Sequence, residues 1–367
     1  MKIAFVANTC WNIYNFRKGL VNHFLSRGDE VLVLAPEDEY TNEIQDWGVV
    51  WINTTLERTG ANPIKDTFYL RKLLKTFRKE NPDVVLSYTI KSNIYASLAG
   101  AVSSTPVICN VSGLGTVFLV KGIAGQVAMI LYKVAFRFSS HIFFQNEDDE
   151  NLFTSKVSVH RNRISILPGS GIDLEQFKPL PFKRNEGGSF VMISRVIIEK
   201  GVREYAEAAS HFADNDNVSF TLIGKLDEGH SRSIQKSELD HWVNNNWIKY
   251  LEHSNDITQV IAEHDAVVLP SYREGTSRTL LEGAALGRPL ISTDVPGCRE
   301  VVNDGYNGFL CEPKSAGSLL NKLKLFLSLT LPEKKQLAAN SRSLVEKTYD
   351  ERIVIDMYQD VIRRIIR

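Results

Sequence analysis

Short runs rich in β-branched and aromatic residues recur along this chain, separated by segments of helical period, and that alternation leaves few folds open. The first series is Ile3–Ala7, Glu30–Ala35, Val49–Ile52, Val84–Ser87, Val107–Asn110, His141–Phe144 and Ile164–Leu167. Such alternation is the mark of βαβ units and a parallel sheet. After Pro179, Pro181 and the Gly187-Gly188 pair the rhythm restarts with Phe190–Ser194, Phe220–Ile223, Ile248–Leu251, Val267–Leu269, Leu290–Ser292 and Phe309–Cys311. A chain of 367 residues also exceeds the roughly 250–300 over which a single core keeps growing. The expectation is an α/β chain with two doubly wound domains, 1–180 and 185–349, joined through Phe177–Gly188. Two domains imply a cleft, and ligands of such sheets bind beyond the carboxyl ends of the strands.

Composition removes several function classes. The 43 basic and 43 acidic residues cancel, which argues against nucleic-acid binding through bulk charge. Cys10, Cys109, Cys298 and Cys311 form no Cys-x-x-Cys pair and are too sparse for a disulfide framework, so a reducing cytoplasm is the expected home. The chain enters a strand-like run at Lys2 without the pattern of a signal peptide. Its most apolar stretch, Val117–Phe138, is interrupted by Lys121, Lys133 and Arg137 and falls short of the ~20 residues needed to span a bilayer. No transmembrane helix is expected.

Two segments concentrate chemistry. Pro270-Ser-Tyr-Arg-Glu-Gly-Thr-Ser-Arg-Thr-Leu-Leu-Glu282 follows the strand Ala266–Leu269 and opens a helix near Ser277. A strand, a glycine turn and a helix N-terminus present free N–H groups and a positive dipole end, which suits a phosphate; Thr276 or Ser277 can cap the helix. Glu274 and Glu282 flank that point, where carboxylates accept hydrogen bonds from sugar hydroxyls. Spacing alone leaves open that Glu282 lies on a solvated helix face. The second segment is Ser194-Arg195-Val-Ile-Ile-Glu-Lys200-Gly201, after the first strand of the second half. Arg195 and Lys200 there would meet the charge of a departing nucleoside diphosphate. A surface pair of Glu199 and Lys200 at a helix start is the plain alternative.

Together these segments resemble the retaining glycosyltransferases of family 4, whose GT-B fold sets two Rossmann-like domains face to face across a nucleotide-sugar cleft. The resemblance runs over nearly the whole chain, through Gly287–Glu300, Asn307-Gly-Phe-Leu, Pro168–Asp173 and Tyr88–Asn93. It implies that Arg195 and Lys200 hold the diphosphate, that Glu274 faces the donor sugar and that Glu282 faces its ribose. Gly224, His253, Gly275, Thr276, Ser277 and Arg278 complete the expected donor side, with Arg195, Lys200 and Glu274 catalytic. It also implies a C-terminal helix, 350–367, crossing back to the first domain. Asn15-Phe16-Arg17, Lys91-Ser-Asn-Ile-Tyr95 and Val111–Phe118 are similar to a branch that adds N-acetylhexosamine to polyprenyl-diphosphate-linked saccharides. From that branch Asn15, Arg17, Lys91, Ser112 and Gly113 are expected to meet the acceptor. The chain departs from the family where a Gly-Gly pair and a His are common: these loops read Asn8-Thr-Cys-Trp-Asn12 and Asn110–Gly115. No residue of the first half is therefore assigned as catalytic helper. Ser277 stands where Pro is commoner, and a capping hydroxyl serves the same helix start.

The resulting expectation is a metal-independent, cofactor-free retaining transferase. It would move an N-acetylhexosamine such as N-acetylgalactosamine from a UDP-sugar to a polyprenyl-diphosphate-linked saccharide, in bacterial surface polysaccharide or glycoprotein assembly. A nucleotide-sugar epimerase of the same fold and a non-catalytic nucleotide-sugar sensor are the competing readings. Asp214-Asn215-Asp216 looks like an Asp-x-Asp metal motif but falls at the amino end of a strand, away from the expected chemistry. The histidines show no His-Glu-x-x-His arrangement, and the first strand leads into no Gly-x-Gly-x-x-Gly, so a zinc hydrolase and a dinucleotide oxidoreductase are unsupported. Arg71-Lys-Leu-Leu-Lys-Thr-Phe-Arg-Lys79, and the apolar stripe Ile123, Val127, Ile130, Val134 and Phe138, read as a surface for an anionic membrane or, more plainly, as one solvated helix and one core helix. The expected location is peripheral, at the cytoplasmic face of the inner membrane.

Overall fold

A computed structural model describes the chain except residues 57–61, 115–122, 183–186, 228, 230, 231, 255 and 367, with the backbone alone for 123–128. The chain divides into two units, one of Met1–Ser170 with Glu351–Arg367 and one of Gly171–Asp350. In chain order the first unit contains β1 (Lys2–Val6), α1 (Cys10–Phe16), α2 (Lys18–Ser26), β2 (Glu30–Ala35), α3 (Thr41–Gln45), β3 (Val50–Asn53), α4 (Pro63–Glu80), β4 (Val84–Tyr88), α5 (Ile90–Ser103), β5 (Val107–Val111), α6 (Ile123–Ala135), β6 (His141–Phe144), α7 (Glu147–Thr154) and β7 (Ile164–Ile166). The second contains β8 (Gly188–Ile193), α8 (Val202–Ser210), β9 (Val218–Ile223), α9 (Lys236–Asn244), β10 (Lys249–Leu251), α10 (Ile257–Ala262), β11 (Ala266–Leu269), α11 (Arg278–Ala285), β12 (Leu290–Thr293), β13 (Gly308–Cys311), α12 (Ala316–Ser328) and α13 (Leu331–Thr348). The last helix, α14 (Glu351–Ile366), belongs to the first unit.

The first sheet is parallel, in the order β3-β2-β1-β4-β5-β6-β7, and the second in the order β10-β9-β8-β11-β12-β13. Every residue of β4 and β5 is buried, as a parallel sheet covered on both faces requires. One apolar core joins α4, α5, α6 and α7 to the first sheet, and another joins α1, α2, α3 and α14. The α14 stripe Val354, Ile355, Tyr358, Val361 and Ile362 is buried at helical spacing, which attaches this helix to the first unit. Strand order reverses between β1 and β4 and between β8 and β11. At those two points neighbouring loops diverge and leave room for a ligand.

The first division between the units falls at Ser170 and Gly171, ahead of the expected linker Phe177–Gly188. Interactions explain the shift. The Ile172 N–H donates to Tyr349 O at 2.8 Å, Arg342 Nη1 donates to Phe177 O at 2.7 Å, and Ile172, Leu174 and Phe177 are buried in the second core. Farther on, Arg288 Nη1 donates to Leu180 O at 2.8 Å. The Pro- and Gly-rich stretch is thus fastened to the second unit through most of its length; its residues 183–186 lie outside the described set.

Candidate active site

Both chemistry-bearing segments of the second unit sit at the carboxyl ends of adjacent strands, β8 and β11. After β8 a tight turn, Ile198–Lys200, closes on Gly201 with φ +74°. A Cβ there would collide with the Pro270 carbonyl oxygen, so the glycine of Glu199-Lys200-Gly201 is required by chain packing. At the same approach the Tyr272 N–H and Ser271 Oγ both donate to Glu199 O, at 2.8 and 3.1 Å. The two loops are therefore latched through backbone, and the latch carries the side chains with it. Lys200 Nζ lies 2.5 Å from Glu274 Oε1, with both side chains half-buried. Glu199 turns away to pair with Arg232 at 2.5 Å. Arg195 is exposed, and its guanidinium has no partner among the described residues.

Glu274 is set by a third segment. Its N–H donates to Pro296 O at 3.0 Å and the Ser277 N–H to Gly297 O at 3.1 Å, while Gly297, at φ +82°, has no room for a Cβ against the Glu274 backbone. Ser277 is the N-cap of α11, its Oγ accepting from the Leu280 N–H at 3.3 Å. Thr279 Oγ1 ties the first helical turn to the end of β8 by donating to Ile193 O at 3.0 Å. Gly275 and Thr276 are half-buried between Glu274 and the cap. One turn into the helix, Arg278 Nε lies 2.9 Å from Glu282 Oε1. Burial pushes the Glu282 carboxyl above its ordinary value, and Arg278 opposes the shift by charge and hydrogen bond. Arg278 also donates to Gly171 O at 2.8 Å and lies over the Phe177 ring. It is a brace for Glu282.

Gly224, at φ +154°, brings the end of β9 against the end of β8, where a Cβ would meet Ser194 O. Its N–H donates to Leu251 O at 3.0 Å and its carbonyl accepts from Tyr250 Oη at 2.9 Å. His253 is exposed in the loop that follows β10. Several neighbours carried no signal in sequence. Tyr272 Oη donates to Glu204 Oε1 at 2.6 Å, and Arg203 grips Glu238 in a fork at 2.7 and 3.0 Å. These residues belong to different helices and loops, so no local spacing marks them.

In the first unit the expected acceptor residues separate. Asn15 is exposed on α1, donating from Nδ2 to Trp11 O at 3.0 Å. Arg17, at the break between α1 and α2, is 4% exposed, with its guanidinium 4.2 Å from the Tyr88 ring centre and, among the described residues, no hydrogen-bond partner for Nε. Lys91 pairs with Asp66 at 2.9 Å. Ser112 is exposed and Gly113, at φ +124°, half-buried just after β5; residues 115–118 of that motif lie outside the described set. Asn93 donates from Nδ2 to Asn110 O at 2.8 Å, and Asn110 donates from Nδ2 to Tyr358 Oη at 2.9 Å. Thr89, between them and Tyr88, adopts φ +74°, a costly conformation for a β-branched residue.

Among the described residues no group of three or more His, Cys, Asp or Glu is placed to hold a metal. Asp214 and Asp216 are exposed in the turn at the amino end of β9. All four cysteines are buried and free. No helix among the described residues is long and apolar enough to cross a membrane.

Comparison with known proteins joins these observations. The family model "Glycosyl transferase 4-like domain" matches residues 16–169 and "Glycosyl transferases group 1" matches residues 175–344. A Campylobacter jejuni enzyme named N,N'-diacetylbacillosaminyl-diphospho-undecaprenol alpha-1,3-N-acetylgalactosaminyltransferase is 30% identical over 388 residues, covering 100% of each chain. An Escherichia coli UDP-Gal:alpha-D-GlcNAc-diphosphoundecaprenol alpha-1,3-galactosyltransferase is 26% identical, covering 71% of this chain and 70% of its own. In fold, a glycosyltransferase from Rickettsia africae superposes with a TM-score of 0.81 at 15% identity, covering 100% of this chain and 98% of its own. Anabaena HepE, solved with UDP and glucose, does so at 0.81 and 16%, covering 99% and 100%. The two parallel sheets, the group 1 half bearing the latched loops and the full-length relative together place this chain in the GT-B glycosyltransferases, as a member with a 4-like first half and a group 1 second half.

Proposed function

We propose that the enzyme transfers an N-acetylhexosamine, such as N-acetylgalactosamine, from a UDP-sugar to a polyprenyl-diphosphate-linked saccharide. It would do so with retention and without a metal, in bacterial surface polysaccharide or glycoprotein glycan assembly, peripherally at the cytoplasmic face of the inner membrane. The observation that carries this reading is the end-to-end relation to an enzyme named for an undecaprenol-diphosphate acceptor. Full-length kinship with a transferase also weighs against the epimerase reading.

In the proposed mechanism Arg195 and Lys200 meet the charge that grows on the leaving diphosphate, where fixed cations act more on the transition state than on the ground state. The amides at the start of α11 assist. Glu274, which holds Lys200 through a 2.5 Å contact, orients that ammonium and accepts from the donor sugar. Glu282, braced by Arg278, accepts from the ribose hydroxyls. The bond from the sugar anomeric carbon to the phosphate oxygen breaks as the bond to the acceptor oxygen forms on the same face. The acceptor hydroxyl proton passes to the departing phosphate, and UDP leaves. Residues around Arg17, Lys91 and Ser112 hold the acceptor.

The test is a mass-spectrometric screen of UDP-sugars against synthetic polyprenyl-diphosphate saccharides. A product heavier by one N-acetylhexosamine, with release of UDP, is expected. Conversion of the UDP-sugar without acceptor would establish the epimerase instead, and saturable UDP binding with no turnover would establish a sensor.

A further inference from the structure

The turn after β12 decides where Glu274 stands. Glu274 donates its N–H to Pro296 O at 3.0 Å and Ser277 donates its own to Gly297 O at 3.1 Å. Two successive carbonyls of one turn therefore carry both the carboxylate that contacts Lys200 and the cap of α11. Gly297 lies so close to the Glu274 backbone that a Cβ has no room there, and packing this tight passes a movement of the turn on to Glu274.

What holds the turn is Glu300. Its half-buried side chain accepts from the Gly297 N–H through Oε2 at 2.7 Å, the short distance of a charged acceptor. Glu300 is held in turn by Tyr349, just past the end of α13, whose Oη donates to Glu300 O at 2.6 Å. Tyr349 is buried; burial, and then the Glu300 charge, push its phenol above the ordinary range, so the donated proton stays on Oη. The Tyr349 carbonyl accepts from the Ile172 N–H at 2.8 Å, and Ile172 forms an isolated bridge with Asp350. Ile172 and Asp350 adjoin the two divisions of the chain, after Ser170 and after Asp350. Inside the second unit a continuous line of bonds thus runs from Ile172 through Tyr349, Glu300 and Gly297 to Glu274 and Lys200.

We propose that Glu300 is a positioning residue for transfer: through the Gly297 turn it sets the Glu274 carboxylate against the Lys200 ammonium, and Tyr349 fixes Glu300. A glutamate that reaches back three residues to a backbone N–H is a common local device. This one differs because the carbonyls of its turn serve Glu274 and Ser277, which lie on another loop. Farther into α11, Thr279 and Arg278 hold the helix independently, by bonds to Ile193 O and Gly171 O. A change at Glu300 should therefore reach Glu274 and leave Glu282 in place. The consequence for transfer rests on the proposed roles of Glu274 and Lys200; the hold on the turn does not.

The experiment joins hydrogen exchange, which needs no substrate, to kinetics on the full chain. In Glu300→Ala the amides of Glu274 and Ser277 should exchange roughly tenfold faster, and those of α8 at the parent rate. With the donor and acceptor pair found by the screen, kcat should fall roughly 10²-fold, the scale of a catalytic group misplaced by about an ångström. UDP affinity by calorimetry should stay within about twofold, because Glu282 is held separately. Glu300→Gln, whose Oε1 can still accept from Gly297, should recover most of both losses. Tyr349→Phe should speed the same exchange and lower kcat about fivefold, as for one hydrogen bond. Added to Glu274→Ala, Glu300→Ala should cost little more, since it acts through that residue. Parent exchange rates in Glu300→Ala, or in Tyr349→Phe where the alanine variant does not fold, overturn the proposal. So does an undiminished further loss in the Glu274→Ala background, or a joint fall of kcat and UDP affinity, which would make Glu300 a plain structural support. A loss in Glu300→Gln equal to that in Glu300→Ala overturns it as well, by assigning the carboxylate charge a direct role. Faster exchange in Glu300→Ala, with turnover unchanged in Lys200→Ala and Glu274→Ala, would instead overturn the proposed mechanism of transfer and leave the hold on the turn standing.

Discussion

The carboxyl ends of β8 and β11 and those of β1 and β4 are equivalent places in two similar sheets, yet they treat charge in opposite ways. In the second unit Lys200 with Glu274, Arg278 with Glu282 and Arg232 with Glu199 form half-buried pairs. In the first unit Arg17 is buried on Tyr88 with no ion-pair partner among the described residues, Asn93 and Asn110 leave Oδ1 atoms without partners among those residues, and Thr89 is held at φ +74°. Half-buried pairs supply internal counter-ions that a ligand can replace at little cost. An unpaired buried guanidinium is expensive, and strain of this kind clusters at functional sites. The loops after β8 and β11 are thus ready-made and locally balanced, while the first unit keeps uncompensated polar groups at its switch point.

The comparison breaks first, and by the largest effect, at Lys200. Lys200→Ala should lower kcat at saturating donor by roughly 10²–10³, the usual cost of one electrostatic donor, with the thermal transition intact; Arg195→Ala should behave alike. Glu274→Ala should also lower kcat, and Lys200→Ala with Glu274→Ala should lose less than the two single effects combined, because the partners share one contact. Turnover unchanged in both cation variants would remove them from the mechanism.

The next largest effect concerns the Arg278 brace. Glu282→Gln should weaken UDP binding by roughly tenfold or somewhat more, as for a lost hydrogen bond to a charged group, with little change in kcat. Arg278→Leu should do the same, and the double variant should bind no more weakly than Glu282→Gln alone. Calorimetry showing additive losses would make Arg278 an independent ligand. Because burial holds the Glu282 carboxyl above its ordinary range and Arg278 opposes this, acidification should protonate it early and weaken UDP binding. Arg278→Leu should move that onset to higher pH, and Glu282→Gln should remove it. Arg342, on the neighbouring α13, bonds the Ala285 and Phe177 carbonyls and pairs with Glu346.

A smaller effect is expected at Arg17. Arg17→Met removes an unpaired buried charge while keeping volume, so the melting temperature should hold or rise, while the acceptor KM should increase about tenfold. A lower melting temperature with unchanged kinetics would reduce Arg17 to a structural stack on Tyr88 and erase the contrast between the units. The smallest expected effect is none: activity should survive EDTA, and its loss would return attention to Asp214 and Asp216.

The strands were legible because burial on both faces of a parallel sheet writes apolar runs directly into sequence, and every expected run coincides with a strand to within two residues at either end. Ser277 was legible for a similar local reason, since a helix cap is a requirement of a single position. The burial of the expected acceptor residues was not. Asn15, Arg17 and Lys91 are expected there only through the branch resemblance, which carries no information on burial; Asn93 and Arg17 are buried, and sequence alone does not separate a buried hydrogen-bonded amide from a solvated one.

Sequence by itself determined the alternation of strand and helix and the two-sheet plan, since both depend on period, and the helix cap at Ser277, which depends on one side chain; the family resemblance came from the motifs and not from period. Tertiary structure alone decided that Glu199 O is latched by Ser271 and Tyr272, that Lys200 meets Glu274, that Arg278 braces Glu282 against Gly171, and that Arg17 lies on Tyr88. The physical reason is that charge pairing and burial depend on which strands become neighbours. The crossovers set that order, β8 beside β11 and β1 beside β4, and so bring together residues that no local spacing connects.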